Sequence, residues 1–313
     1  MKSPNPDSSL HTHDVPFFKR RNVAEIVSST AFLTPILIAF CLLTAIPLVQ
    51  TIYYSFTDFN GFDLHPNFVG LKNYQTLFSD ESLLVGLGFT LLFAVATTVL
   101  ISVLAIPLAI ALNSKFLFRS FARSLFFFLG VPSLIVLGLV WQYIFSPVKT
   151  GALNQVLMSM GLDHAIPWLA DDNLARGCVI FVAVWAGVGW HATLYLAYLQ
   201  AIPKDLYEQA QVDGANSWQQ FAHITLPQLV PGIVVSTFLL ITGGLKVYDL
   251  PFALTKGGPG FATNTITQSI ILRGISQSDY GVGSALAVVF TLACLIVVLL
   301  QMYVANIIQR RFA

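Results

Sequence analysis

Five stretches of the chain carry no Asp, Glu, Lys or Arg over more residues than the roughly 20 that a helix needs to cross a bilayer: 26–57, 82–114, 124–148, 177–203 and 280–309. A sixth, 214–245, is also uncharged, but its first half is polar, so only about 229–250 reads as a span. In hydrocarbon every backbone amide must find its partner within the segment, which a helix achieves. Only 10% of the residues are charged and 56% are hydrophobic, against roughly 25% charged in soluble domains. The expectation is an all-α integral membrane protein with six transmembrane helices, at about 29–55, 84–112, 120–145, 177–200, 229–250 and 283–308.

An even number of spans puts both termini on one side, and the side richer in Lys and Arg is cytoplasmic. Lys2, Lys19, Arg20, Arg21, Lys115, Arg119, Arg123, Lys204, Arg310 and Arg311 fall on one side, ten in all. Five fall on the other, Lys72, Lys149, Arg176, Lys256 and Arg273, with Lys246 at a span end. Both termini and the 203–227 segment are therefore expected in the cytoplasm. Residues 1–28 read as a cytoplasmic tail and 29–313 as one membrane domain, because the outer loops near 57–82, 146–175 and 251–281 hold no stretch able to build a separate core. The basic run FKRR at 18–21 precedes an apolar stretch too long for a signal-peptide core, and no small-residue cleavage pattern follows it, so the first span reads as an uncleaved anchor.

Prolines interrupt several spans (Pro35, Pro47, Pro107, Pro132), and glycines gather in VGLGF, WAGVGW and ITGGLK. Membrane helices tolerate such breaks where neighbours or a water-filled cavity satisfy the freed carbonyls. Channels, secondary transporters and intramembrane enzymes need ionisable groups at mid-depth to coordinate ions, relay protons or do chemistry. The span centres offer only His191, which reads either as a hydrogen-bonded packing or pore-lining group or as a proton-handling site lacking a visible partner. Cys41, Cys178 and Cys294 lie inside apolar spans without metal-ligand spacing and read as small packing residues. The HTH run at 11–13 has no further ligands beside it. No GxxxxGK[ST] phosphate loop occurs, and the glycine loop TKGGPG at 255–260 lacks the Lys-Ser/Thr that would follow, so the chain is not expected to hydrolyse nucleotide. No cofactor, no metal and no nucleic-acid partner is assigned.

The segment EQAQVDGANSWQQFAHITLP at 208–227 is the polar exception between two apolar stretches. Pro203 suits the first position of a helix over 204–215 because it has no amide hydrogen to leave unpaired. Leu206, Tyr207 and Ala210 would share a face, and Gly214 stands where a left-handed cap would stop the helix. Ser217 and Gln220 fit a capping box opening a second short helix, with Trp218, Phe221 and Ala222 on its apolar face and Leu226-Pro227 ending it. Glu208 and Asp213 could meet a basic partner or hold the turn. Periodicity alone leaves two readings open: a helix-turn-helix knob, or an amphipathic connector in the lipid headgroups.

The run EQAQVDGA at 208–215, followed by Phe221, Ile224 and Leu226-Pro227, resembles the cytoplasmic "EAA" signature of ABC-importer permeases. Gln209 stands where Ala is usual. FVGLKNY at 68–74, PWLAD at 167–171, LQAIPKDLYEQA at 199–210 and LKVYDLPFALTKGGPG at 245–260 extend the resemblance from about Phe32 to Ile308, specifically to the first permease subunit of the maltose and glycerol-3-phosphate type. The resemblance implies an ATPase-coupling segment at Glu208, Ala210, Asp213, Gly214, Ala215, Trp218, Phe221, Ile224, Leu226 and Pro227. It also implies a bacterial or archaeal inner membrane, a second homologous permease, two ATPase subunits and an extracytoplasmic binding protein that delivers sugar.

Ala183, Gly187 and Trp190 fall at i, i+4 and i+7 on the fourth span, one helical face. Gly243, Gly244 and Val247 are expected to share a face in the same way near the outer end of the fifth. By alignment from the cytoplasmic motif these patches resemble the sugar pocket of maltose-type permeases, while small residues at such spacing equally mark helix packing. Lys246 and Asp249 could pair at i, i+3. A neutral sugar is preferred over glycerol phosphate or another small solute, because an anion would call for Arg or Lys along the path. A secondary transporter would need coupling-ion ligands or repeated halves.

Overall fold

The computed structural model describes residues 23–312; the basic run at 18–21 and the HTH run lie outside the described residues. The described residues up to Gln50 and those from Thr51 onward form two units. In the first, α1 (Val23–Phe40) passes through a π-helical turn, Cys41–Ala45, into α2 (Ile46–Tyr54), which runs on into the second unit.

The second unit is built of helices joined by loops, with an isolated antiparallel bridge between Thr57 and Phe68. The series is α3 (Lys72–Ser79), α4 (Glu81–Asn113), α5 (Arg119–Phe128), α6 (Leu134–Ile144), α7 (Ala152–Ser159), α8 (Asp172–Ala201), α9 (Lys204–Val212), α10 (Ser217–Gln220), α11 (Leu226–Leu245), α12 (Asp249–Thr255), α13 (Ile266–Ile270) and α14 (Tyr280–Phe312). Two more π segments occur, Phe221–Thr225 and Ile271–Ser276.

Among the described residues five helices are long and apolar enough to cross a membrane: Thr30–Tyr54, Glu81–Asn113, Asp172–Ala201, Ser217–Leu245 and Tyr280–Arg310. The stretch expected as a span at 120–145 is instead two helices, α5 and α6. Pro132 lacks an amide hydrogen and disfavours helical geometry at Val131, and Ser133 then caps α6 by accepting from the Ile135 amide at 3.3 Å. The fifth expected span also differs, because α11 stops at Leu245 and α12 starts again at Asp249.

Leu226-Pro227, expected to end the second short helix, does not. A proline ring collides with the carbonyl four residues back, and the π turn at 221–225 relieves that collision by widening the helix there. The Leu226 amide accordingly reaches back to the Phe221 carbonyl, five residues away. The same device precedes Pro47, where the Ile46 amide reaches the Cys41 carbonyl. Both wide turns end two residues before a proline.

The core is three helices deep. Ile101, Ala105 and Ala109 of α4, Ala192, Tyr195 and Leu199 of α8, and Leu229 and Leu240 of α11 form one buried cluster. A second, toward the α8 N-terminus, joins Phe89 and Phe93 of α4 and Val179 and Val182 of α8 to Phe145 and to Leu250 and Leu254 of α12. Close approach depends on absent side chains. A Cβ on Gly189 would strike the Phe126 carbonyl oxygen of α5, and one on Gly244 would come within 2.7 Å of Ala94 Cα on α4. The C-terminal carbonyl of Leu112 on α4 takes hydrogen bonds from Arg123 Nε and Nη2 at 3.1 and 2.7 Å.

Candidate functional site

Between α4, α8 and α11 lies a cavity of about 330 Å³. Phe93, Thr97 and Ile101 supply the α4 wall, Gly130, Pro132 and Leu134 the break between α5 and α6, Ala183, Ala186, Gly187, Trp190 and His191 the α8 wall, and Leu239, Leu240, Gly243 and Gly244 the α11 wall. Val247 and Leu250 close the end beyond α11. All six residues expected along the path, Ala183, Gly187, Trp190, Gly243, Gly244 and Val247, therefore face one space.

They do different things there. Val247 is not on a helical face with the two glycines; it follows the end of α11, with Lys246 as the capping residue, and its side chain is buried in the cluster with Leu250. Gly244 and Gly187 let helices approach, since added Cβ atoms would meet Ala94 Cα and Ile101 Cδ1, each at 2.7 Å. Gly243 has nothing within 4 Å of such an atom and opens directly on space. Trp190 is 41% exposed, a large ring presented rather than packed away. The lining holds no Asp, Glu, Lys or Arg. Nothing in the pattern of residues 81–113 marks the α4 contribution, whereas Pro132-Ser133, a break followed by a cap, is a usable signal for the wall between α5 and α6.

At the C-terminal end of α8 and the N-terminal end of α11, α9 and α10 form a compact helix pair. Gly214 has φ of +81°. Its amide donates to Gln211 O at 3.1 Å and the Ala215 amide to Ala210 O at 2.9 Å, the two bonds of a Schellman cap. The capping box lies one residue earlier than Ser217 and Gln220. Asn216 Oδ1 accepts from the Gln219 amide at 2.9 Å, and Gln219 Oε1 accepts from the Asn216 amide at 2.8 Å. Asn216 takes the cap because its backbone is extended, with φ −75° and ψ 168°, whereas Ser217 is already helical.

Tyr207 and Ile224 turn inward against the α4–α8–α11 cluster, and Tyr207 Oη and Thr225 Oγ1 lie 2.9 Å apart. Leu206 does not share that face and is exposed, as is Trp218 at 73%. Trp218 and Phe221 pack on each other with ring centroids 5.4 Å apart. Glu208 and Asp213 are exposed, and their side chains make no hydrogen bond or ion pair among the described residues; backbone caps hold the turn. Lys246 and Asp249 do not pair either. The ion pair found among the described residues is Arg273 with Asp80, where the chain enters α4.

Long apolar helices around an uncharged cavity, with a rigidly capped helix pair projecting from one end, define a membrane permease. The chain belongs to the family described as binding-protein-dependent transport system inner membrane component, which matches residues 101–313. It is thus a transport component, not an enzyme.

Its relatives include the probable starch degradation products transport system permease protein AmyD of Thermoanaerobacterium thermosulfurigenes, 34% identical over 275 residues, covering 88% of this chain and 92% of that one. The multiple sugar-binding transport system permease protein MsmF of Streptococcus mutans is 35% identical over 260 residues, covering 82% and 87%. Among solved structures, a bacterial ABC transporter involved in import of the acidic polysaccharide alginate shares the fold. That match has a TM-score of 0.79 and 24% identity, over 91% of this chain and 96% of that one.

Proposed function

We propose that the chain is the permease subunit of an ATP-driven importer and that the α4–α8–α11 cavity is part of the route of a neutral sugar. The observation that carries this reading is the cavity wall: a presented indole at Trp190, an open backbone at Gly243 and no charged side chain. An aromatic face suits the apolar face of a sugar ring, and an uncharged wall suits a solute without charge. Relatives named for starch products and multiple sugars support the same substrate class.

The α9–α10 pair is the surface proposed to meet an ATPase subunit, with Trp218 and Glu208 left free for the partner. A second homologous permease, two ATPase subunits and an extracytoplasmic binding protein complete the proposed assembly. Both termini face the cytoplasm, on the strength of the Lys/Arg asymmetry. Force reaches the cavity through α8 and α11, which leave the helix pair directly.

The test is ATP-driven uptake of labelled mono- and oligosaccharides by the whole complex in vesicles, loaded with its binding protein. Trp190→Ala removes stacking area without touching the helix pair, so uptake should fall roughly five- to tenfold while the complex stays assembled. Uptake at the unaltered rate would remove the cavity from the route.

A further inference from the structure

His191 follows Trp190 on α8 and lines the same cavity, yet only 7% of its surface is exposed. Its Nδ1 lies 2.7 Å from Ser236 Oγ on α11, and Ser236 is wholly buried. The imidazole also stands edge-on to the Trp190 indole, with centroids 4.7 Å apart and planes at 72°. Two neighbours therefore fix the ring's position and tilt. The other nitrogen, Nε2, has no partner among the described residues, and it is not among the buried unpaired atoms.

Nε2 is therefore the polar corner of the ring that is open to the cavity, where water or a ligand can meet it. The remaining polar lining does not duplicate it. Thr97 donates its hydroxyl hydrogen to Phe93 O on its own helix at 2.7 Å and can only accept from a ligand, whereas an indole N–H can only donate. His191 differs because either tautomer leaves Nε2 useful. If Ser236 donates to Nδ1, Nε2 carries a hydrogen and donates; if Ser236 accepts, Nε2 accepts. A hydroxyl, being donor and acceptor at once, satisfies both cases.

Resting on the sugar reading above, we propose that His191 Nε2 hydrogen-bonds one hydroxyl of the sugar while Trp190 covers the ring's apolar face. His191 is then the polar specificity determinant of the route, and Ser236 is the residue that positions it. A residue serving only to tie α8 to α11 would need Nδ1 alone. A proton relay would need a second ionisable group in the lining, and the lining contains none.

The experiment uses the whole complex in vesicles, with each sugar supplied at saturation of the binding protein. The panel is the best-transported sugar together with its monodeoxy derivatives, and the variants are His191→Phe, His191→Gln and Ser236→Ala. Loss of one hydrogen bond is expected to slow His191→Phe about tenfold for the parent sugar. One deoxy derivative, lacking the bonded hydroxyl, should pass through His191→Phe and the unaltered complex equally fast. His191→Gln should recover part of the parent rate, Ser236→Ala should fall between, and binding-protein-stimulated ATP hydrolysis should persist in all of them. Equal slowing of every derivative, or no slowing of any, would overturn the assignment. If His191→Phe does not assemble, unchanged discrimination among the deoxy sugars by His191→Gln overturns it instead. An unaltered complex that imports no sugar would sink the sugar reading and this one together, whereas normal import with indifferent variants sinks this one alone.

Discussion

The Asp80 carboxylate accepts from the Ser82 amide at 3.0 Å and from the Ser82 hydroxyl at 2.6 Å with one oxygen, and its other oxygen meets the Arg273 guanidinium. Burial alone would raise its pKa, but the Ser82 hydrogen bonds and the Arg273 charge outweigh burial and hold it below the ordinary 3.8. A depressed carboxyl stabilises the folded chain above its unfolded value, and that contribution is lost as pH falls through the folded one. Asp80→Asn should therefore lower the melting temperature at pH 7, by an amount corresponding to less than about 1 kcal/mol because the pair is partly solvated. The gap between variant and parent should close as the medium is taken below pH 3.8. A gap that stays constant well below pH 3.8 would mean the carboxylate charge contributes nothing. The pairing joins residues 193 apart in sequence, and no local pattern could have announced it; the visible candidate, Lys246 with Asp249, fails because the helix ends between them.

On the scale of elements, the α9–α10 pair divides its residues between holding shape and being available. Gly214 holds shape: no atom lies within 4 Å of a Cβ placed there, so only its left-handed φ resists substitution. Gly214→Val should therefore cost about 1–2 kcal/mol locally and loosen the turn. Glu208→Lys alters an exposed charge that braces nothing and should leave the helices intact. Both should abolish sugar uptake and sugar-stimulated ATP hydrolysis if the pair docks on the ATPase, and co-purification with the ATPase should weaken in both. Full ATPase retention and full transport in both variants would instead favour a helix lying among lipid headgroups, which tolerates a Lys there. Gly214 makes the turn of this pair legible, since it tolerates the left-handed backbone, whereas Pro203, expected at the first helical position, is the residue before it, with ψ of 133°. The capping residue was misplaced by one because Asn216 and Ser217 are both good caps, and only the backbone angles choose between them.

Across the whole molecule, the cavity's α8 wall was readable because Ala183, Gly187 and Trp190 keep helical spacing on one uninterrupted helix. The α4 wall was not, since that helix is apolar all round and its sequence does not say which side meets a neighbour. Nor was the end of α11, where Val247 reaches the cavity by leaving the helix.

The π turn at 221–225 has a consequence for the whole bundle, because it inserts an extra residue between the helix pair and the cavity wall. Each residue in a helix advances it by about 100°, so the wide turn sets the phase at which motion of α9 and α10 is presented to Gly243 and Gly244. One alanine inserted after Gln228, within ordinary α-helix, should rotate the rest of α11 by roughly that angle and carry both glycines off the cavity. ATPase binding should survive while uptake disappears, whereas deleting Ala222 removes the residue that the wide turn absorbs and should leave the phase beyond Pro227 as it is. Normal uptake from the insertion would show that the two ends of α11 are not geared together. Proline at 227, which looks from the sequence like a stop, is on this account the tooth that fixes the gear ratio between fuel and cargo.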